Sequence, residues 1–287
     1  MKILLVANVF SEGCTGLLVL KNLNQMGHTV SIWDTRISVI PPPGEFDLSI
    51  TWTNETPDIS LIKSKIKILY YLEDTDYIGM IEDKYKIENQ IRGYDYFYTM
   101  NLLQGYEDHW LPMGADEEVF YSITMPIMGD VLFIGTARDD RRKKIITDIQ
   151  QKLHEQNINL WVMGNGWEDT DHNVGKAYYF NNMAKIVNSF KIVINLHIYG
   201  NSPSDKVHNI NGCGGALLIN DSKQGYNLCY PNSPVWMAED DLIEKIQYYL
   251  THEDKRKEKV TELQNRANTY FSYTRILNIM LDLVQTQ

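Results

Sequence analysis

Short apolar runs alternate along this chain with longer segments whose apolar positions recur at helical spacing. Lys2–Val9 is an almost continuous apolar run, which is typical of a strand buried on both faces of a sheet. Arg141–Gln156, by contrast, places Ile145, Ile146, Ile149 and Leu153 near one face of a helix. Because such strands and helices alternate over the whole length, the pattern predicts an α/β fold with parallel sheets.

The pattern forms two successive arrays. The predicted strands of the first half are Lys2–Val9, Thr29–Asp34, Leu48–Trp52, Ile66–Leu72 and Asp95–Met100, and those of the second half are Asp130–Ile134, Leu160–Met163, Lys191–His197 and Gly215–Asn220. The predicted helices are Leu17–Gln25, Arg141–Gln156, Asp240–Leu250, Glu253–Thr269 and Tyr273–Gln287. The arrays meet near 115–130, so we expect one domain over 1–120 and a second over 121–287.

The arrangement of strands also predicts where a ligand binds. In open α/β sheets, ligands lie beyond the carboxyl ends of the strands. If two such domains face each other, the cleft between them is the expected site. Candidate functional residues are therefore those that directly follow a predicted strand.

Composition and charge narrow the classes of function. Of the 287 residues, 44% are hydrophobic and 22% are charged, which is a globular composition. The formal net charge of −10 argues against nucleic acid as a partner, although a local basic cluster would still allow one. No apolar run is long enough for a membrane span, and a first strand explains Met1–Ala7 better than an export signal does.

The three cysteines predict no covalent or metal framework. Cys14, Cys213 and Cys229 form neither a CxxC pair nor an even set. We therefore expect a reducing, cytoplasmic setting, no structural zinc and no metal site.

A cationic segment follows the first predicted strand of the second half. Gly135 comes directly after that strand, and Arg138, Arg141 and Arg142 follow close to the start of a helix. Cations usually lie at helix carboxyl ends, where they match the dipole, so their position here favours a bound diphosphate. The alternative is a solvated charge cluster that Asp139 and Asp140 partly neutralise.

Two glycine-rich turns follow other strands. Gly164 and Gly166 flank Asn165 after Leu160–Met163, and such glycines would let the backbone approach a flat group such as a nucleobase. A plain turn, with Trp167 filling the core, is the alternative. The turn Gly13–Gly16 lacks the first glycine of a dinucleotide-binding fingerprint, which favours a simple strand-to-helix turn.

The segment Ser204–Asn220 carries the most specific pattern. Polar residues open a short helix, small residues end it, and a buried strand follows. Lys206 beside the helix N-terminus predicts an anion site. His208 and Asn209 lie next along the helix, and for His208 contact with the ligand and packing in the core both remain open.

Two further residues are candidates for catalysis. His197 ends a predicted strand and could face the site, although a structural histidine is the alternative. Asp74, with Glu73 and Asp76, follows Ile66–Leu72 and could supply a general base, whereas most acidic loop residues are only solvated.

Several motifs, in this order, resemble a known family. Val131–Gly135 with Arg141 and Arg142 is similar to its strand–glycine–arginine opening, and Leu160–Trp167 to its strand followed by G-x-G-W. Further matching segments are Leu111–Phe120, Ile192–His197, Lys206–Gly215 and Tyr270–Arg275. Together these motifs resemble the spore-maturation (CgeB-like) and glycosyltransferase family 4-like group of GT-B glycosyltransferases.

The resemblance implies a fold and a ligand. It implies an α/β GT-B fold, in which two Rossmann-like domains face each other across a cleft and the last helix packs back on the first domain. It also implies a nucleotide diphosphate sugar, a UDP-sugar above all, as co-substrate in the second domain, no bound cofactor, and an acceptor in the first.

The same resemblance implies roles for single residues. Lys206 with Arg138, Arg141 or Arg142 would face the diphosphate, and Gly164 and Gly166 would flank the base. Cations and helix dipoles would replace a metal. This chain departs from the family at two positions, with Lys206 in place of an arginine and Asn209 in place of the glutamate that holds the ribose.

Four functions follow, with unequal support. A glycosyltransferase acting on a hydroxyl acceptor explains the ordered motifs. A non-catalytic nucleotide- or carbohydrate-binding relative would explain Asn209. A DNA-base glycosyltransferase is a subclass that the net charge disfavours, and the missing GxGxxG argues against an oxidoreductase.

Overall fold

The computed structural model describes residues 1–10, 14–53, 56–72, 87–103, 105–168, 170, 172–175, 181–197 and 202–285. The chain forms two compact units. The first comprises Met1–Gly114, Tyr199–Ser202 and Phe271–Gln287, and the second comprises Ala115–Ile198 and Pro203–Tyr270.

The first unit contains a five-stranded parallel sheet. Its strands are β1 (Lys2–Ala7), β2 (Thr29–Trp33), β3 (Phe46–Thr53), β4 (Ser64–Tyr71) and β5 (Tyr96–Thr99). They lie in the order β2-β1-β3-β4-β5. The direction of winding therefore reverses between β1 and β3, and such a switch point leaves a crevice beyond the carboxyl ends of these two strands.

Two helices from opposite ends of the chain belong to this unit. They are α1 (Thr15–Gln25) and the last helix, which runs over Tyr273–Gln285. The two helices pack together, and the Thr274 hydroxyl donates a hydrogen bond to Asn22 Oδ1 at 3.1 Å.

Trp52 connects the sheet to both helices. Its ring stacks on Tyr70 with centroids 3.9 Å apart and lies 6.0 Å from the ring of Tyr273. Its indole N–H donates to Thr15 Oγ1 at 3.0 Å. Because an indole buries a large apolar area and its N–H needs an acceptor, this side chain fixes how the sheet and the helices pack.

The second unit contains a six-stranded parallel sheet. Its strands are β6 (Gly129–Ile134), β7 (Leu160–Met163), β8 (Asn173–Gly175), β9 (Phe190–Asn195), β10 (Leu217–Asp221) and β11 (Val235–Trp236). They lie in the order β11-β10-β9-β6-β7-β8, so the switch point falls between β6 and β9. The predicted α/β class with two Rossmann-like sheets is confirmed.

The helices of the second unit follow its strands. They are α2 (Asp140–His154), α3 (Asn181–Val187), α4 (Asp205–Cys213), α5 (Gln224–Cys229), α6 (Glu239–Thr251) and α7 (Glu253–Tyr270), and the last helix of the chain is α8. None of the helices in the described residues combines the length and apolar composition that a membrane span requires.

The carboxyl end of α4 packs closely on its neighbours through glycines. Gly214 ends the helix with a φ of 64°, which is left-handed. A Cβ at Gly214 would lie 2.2 Å from the carboxamide of Gln264, and one at Gly215 would lie 2.1 Å from Asn188 Oδ1. Since Gln264 Nε2 donates to the carbonyl of Gly212 at 3.0 Å, the glycines allow α7 to cap α4.

The packing at Gly214 predicts a stability cost. We expect Gly214→Ala to lower the free energy of unfolding by about 2 kcal/mol, about half from the left-handed backbone and half from the displaced Gln264 hydrogen bond. In a Gln264→Ala background the same substitution should cost only about 1 kcal/mol, for the backbone alone. Urea unfolding of the four proteins measures both costs, and equal costs in the two backgrounds would contradict this packing.

Candidate active site

The predicted cations meet at the switch point of the second sheet. Arg142 lies in the first turn of α2, where Asp139 Oδ1 accepts a hydrogen bond from its backbone N–H at 2.8 Å. Its guanidinium donates to the carbonyl of Thr136, after β6, at 3.1 Å, and to that of Leu196, after β9, at 3.0 Å. Arg142 therefore spans the crevice between the two strands.

Lys206 reaches the same crevice from α4. Its Nζ donates to the carbonyl of Ile134, the last residue of β6, at 2.8 Å, and lies 6.0 Å from the centre of the Phe133 ring. Burial, and then the charge of Arg142, lower the pKa of Lys206 to about 8, although Asp205 and Asp221 act in the opposite direction. Two like charges thus share a poorly solvated position.

The start of α4 adds a third source of positive potential. Ser204 precedes the helix and makes no side-chain capping hydrogen bond. Burial raises the pKa of the Asp205 carboxyl, whereas the neighbouring Lys206 lowers it. Because a helix N-terminus carries partial positive charge, Lys206, Arg142 and α4 together form a site suited to an anion such as a diphosphate.

Among the described residues, the side chains of the other two predicted arginines make no hydrogen bond across this crevice. Arg138 and Arg141 are both exposed. Arg141 lines a pocket of about 680 Å³ that adjoins the crevice, because Leu196, whose carbonyl accepts from Arg142, lines it too, together with His197, Asp221 and Met237. Of the three arginines, the structure brings only Arg142 to the switch point.

Gly164 and Gly166 join the loops after β6 and β7. Their φ angles are 143° and 85°, and a Cβ at Gly164 would lie 2.3 Å from the carbonyl oxygen of Gly135. The backbone N–H of Gly135 donates to Met163 at 2.8 Å. A side chain at Gly164 would displace the loop that carries Thr136, so this glycine shapes the crevice. Contact between these glycines and a base stays a prediction.

Trp167 fills the core beneath this turn. It is fully buried, its indole N–H donates to the Gly135 carbonyl at 2.6 Å, and its ring meets Phe133 edge to face. The packing alternative is therefore the one observed.

His197 is held by a residue that the sequence did not single out. Asp221, at the end of β10, accepts from His197 Nδ1 at 2.7 Å and from its backbone N–H at 3.0 Å. Both side chains are at least 90% buried. β9 and β10 are neighbouring parallel strands. A histidine after one strand and an acid at the end of the other could therefore have predicted this contact from the sequence.

A row of amide side chains supports this pair. Asn195 Nδ2 donates to Asn220 Oδ1 at 2.7 Å and lies 3.1 Å from His197 Nδ1. The indole N–H of Trp236 donates to the Asn195 carbonyl at 3.2 Å. These hydrogen bonds fix one orientation of the His197 ring at the edge of the 680 Å³ pocket.

The two remaining residues on α4 have different surroundings. His208 is fully buried, its Nδ1 lies 2.8 Å from the Tyr230 hydroxyl, and burial lowers its pKa to about 3. The structure thus places His208 in the packed interior. Asn209 is also buried, but its Oδ1 has no hydrogen-bond partner among the described residues, so it could accept one from a ligand hydroxyl.

The remaining predictions concern acidic residues and metals. Asp74, with Glu73 and Asp76, lies outside the described residues. Within the part of the chain that the structure describes, no three His, Cys, Asp or Glu side chains are grouped as a metal site would need.

Comparison with known proteins adds a family resemblance. Residues 141–282 match the model of a family described as glycosyl transferase-like. This segment contains Arg142, His197, Lys206, Asn209 and Asp221. No curated protein matches the sequence.

Solved structures resemble the whole chain at low identity. An α-glucosyltransferase in complex with UDP and a 13-mer DNA is 12% identical with a TM-score of 0.68, and 99% of this chain and 100% of that chain are covered. HepE of Anabaena in complex with UDP-glucose is 11% identical with a TM-score of 0.67 and full coverage of both chains. A glycosyltransferase from Rickettsia africae is 14% identical with a TM-score of 0.67, and 99% and 98% are covered.

The segment 141–282 is therefore similar to the glycosyl transferase-like family, and the chain has the two-domain GT-B fold of these glycosyltransferases.

Proposed function

We propose that this protein is an active glycosyltransferase that moves a sugar from a UDP-sugar to a hydroxyl acceptor. The observation that carries the proposal is the pairing of Lys206 and Arg142 at the switch point of the second sheet, beside the N-terminus of α4. Burial and the charge of Arg142 both disfavour the ammonium form of Lys206, and a bound diphosphate would stabilise that form.

The chemistry follows from where charge develops. The bond between the anomeric carbon and the β-phosphate oxygen breaks, and its electron pair leaves with UDP. The acceptor oxygen forms the new bond to that carbon, and its proton passes to the departing diphosphate or to solvent. Lys206, Arg142 and the dipole of α4 stabilise the charge on the departing diphosphate, so the proposed reaction needs no metal ion.

The choice of UDP rests on the structural relatives. UDP is named as bound to the α-glucosyltransferase, and UDP-glucose to HepE of Anabaena. Uridine is therefore the first nucleoside to test here. The ribose is proposed to lie beside Asn209, because the buried Oδ1 of this residue could accept a hydrogen bond from a ribose hydroxyl.

His197 is proposed to contact the transferred sugar or its acceptor. Asp221 orients the imidazole through Nδ1, an arrangement that directs the opposite ring nitrogen to a substrate. The adjoining pocket of about 680 Å³ has room for a sugar ring.

Two other candidates have specific observations behind them. A neutral asparagine at position 209 is compatible with a nucleotide-binding protein that has no transferase activity. Such a protein would bind UDP but would not cleave UDP-glucose.

A DNA acceptor is supported by the DNA bound to the α-glucosyltransferase, whereas the net charge of −10 weighs against it.

The first prediction concerns donor binding. UDP without magnesium should raise the midpoint of thermal unfolding, since a ligand at 100 times its Kd adds about 2.7 kcal/mol. Lys206→Gln should weaken UDP binding about 30-fold, because a hydrogen bond to a charged group contributes about 2 kcal/mol. Lys144→Gln is the matched control, because Lys144 is exposed and pairs with Asp148. Equal affinity in both variants would contradict the proposed site.

The second prediction is a pH dependence. The pKa of Lys206 is about 8 in the free protein, so the ammonium form that binds the diphosphate is lost as the pH rises above 8. The Kd for UDP should therefore rise from pH 7 to pH 9, by up to about tenfold per pH unit above the pKa. Lys206→Arg keeps its charge over this range and should make the Kd independent of pH. A wild-type Kd that does not change with pH would contradict this role.

The third prediction separates binding from turnover. His197→Ala should lower kcat by on the order of 100-fold, the contribution typical of a positioned acid or base, while the Kd for UDP stays the same. Asp221→Asn should lower kcat less, since it keeps the shape but weakens the hold on the imidazole. Unchanged kcat in both variants would exclude His197 from the reaction.

A further inference from the structure

A second, smaller pocket lies at the switch point of the first sheet. It measures about 120 Å³, against about 680 Å³ for the pocket of the second unit. Its polar lining comes from the carboxyl ends of β1, β2 and β3, namely Asn8, Asp34, Thr35, Arg36 and Thr53. Ligands of open α/β sheets bind at such a position.

An internal ion pair forms one wall of this pocket. Arg36 donates to both carboxylate oxygens of Asp34, from Nε at 2.9 Å and from Nη2 at 2.5 Å. The Asp34 carboxylate is buried and also accepts the backbone N–H of Val9. Because the two charges compensate each other, the wall offers hydrogen-bonding groups without net charge, which suits a neutral hydroxyl-bearing group better than an anion.

The loops that follow β1 and β2 carry large apolar side chains that are exposed. After β2, Ile37, Val39 and Ile40 are 66%, 84% and 75% exposed, and after β1 Phe10 is 67% exposed. Val9, which bonds to Asp34, is the neighbour of Phe10, so the two loops meet at this edge. We call these four residues the apolar rim. Ordinary surfaces carry such side chains singly, so four of them on two neighbouring loops favour a binding surface here.

The loop that carries the rim is held in place by hydrogen bonds. The Trp33 indole N–H donates to the Ser38 carbonyl at 2.8 Å, and the backbone N–H groups of Ile37 and Ser38 both donate to the Asp34 carbonyl at 3.0 Å. The Ser38 hydroxyl donates to the Ile40 carbonyl at 2.7 Å. An ordered loop that displays apolar side chains keeps them available to a ligand at little entropic cost.

We propose that this edge of the first sheet binds a neutral amphiphile, with a hydroxyl-bearing head in the Asp34–Arg36 pocket and an apolar tail on the apolar rim. Its place at a switch point makes this amphiphile the acceptor of the reaction, a step that rests on the function proposed above. The acceptor class is thus a hydroxyl compound, such as a glycoside, that carries an alkyl or aryl group.

Other occupants fit the surface less well. A stable contact with a second copy takes roughly 20 to 30 residues a side, far more than the four of the rim. An anionic lipid surface would meet a protein of net charge −10. A neutral amphiphile satisfies both the apolar rim and the charge-compensated pocket.

The test compares two glycosides that differ only in the tail. Binding of n-octyl β-D-glucoside, below its micelle-forming concentration, and of methyl β-D-glucoside is measured by calorimetric titration. The octyl compound should bind at least about tenfold more tightly, since several methylenes leave water. Val39→Ser/Ile40→Ser should abolish most of this difference. Ile127→Ser/Met128→Ser, at two side chains that are 55% and 54% exposed in the second unit, should keep it.

Each result decides the proposal. Equal binding of the two glycosides to the wild-type protein, or an unchanged difference in Val39→Ser/Ile40→Ser, would overturn it. Sedimentation that shows a dimer dissolved by the same double substitution would assign the rim to self-association instead. The UDP-induced thermal shift is recorded on every variant, so a failed donor site is recognised separately from a failed amphiphile site.

Discussion

Two cations share one poorly solvated crevice at the switch point of the second sheet, and the proposed donor site depends on them. Lys206 and Arg142 arrive on different helices, and each donates to backbone carbonyls at the ends of β6 and β9. Burial, and then the charge of Arg142, lower the pKa of Lys206, although Asp205 and Asp221 act in the opposite direction. A site with positive electrostatic potential favours the binding of an anionic ligand.

The fold explains why these groups converge. In a parallel sheet every strand ends at the same edge, and at the switch point the helices that follow β6 and β9 leave in opposite directions. α2 can then deliver an arginine and α4 a lysine to one crevice. The close approach of the neighbouring loops requires Gly164, because a Cβ there would meet the Gly135 carbonyl. The first sheet also has a pocket at its switch point. That pocket differs because it carries a charge-compensated ion pair and lies beside the apolar rim.

Much of the fold could be predicted from the sequence, and less of the site. Continuous apolar runs such as Val131–Ile134 define central strands whatever their surroundings. β11 was not predicted, because two residues that pair only with β10 carry no periodic signal. The strand predicted to end at His197 ends at Asn195, since the backbone N–H of His197 donates to the side-chain carboxylate of Asp221 and not to a backbone carbonyl of β10.

The roles of the site residues depend on tertiary contacts, which cannot be predicted from the spacing of residues along the sequence. The segment Gly135–Lys143 offered three arginines at similar distances from the strand, and only the turn of α2 selects Arg142. Asp221 is 24 residues from His197 and meets it through strand pairing. His208 and Asn209 are adjacent in sequence, yet one packs on Tyr230 and the other holds a buried oxygen without a partner among the described residues.

The most direct test is a crystal structure of the protein with UDP. The account predicts that the diphosphate lies at the switch point of the second sheet, with its oxygens about 2.7–2.9 Å from Lys206 Nζ and from the guanidinium of Arg142, at charge-assisted hydrogen-bonding distance. A diphosphate bound elsewhere, for instance beside Lys152 and Met237 at the far side of the 680 Å³ pocket, would contradict it.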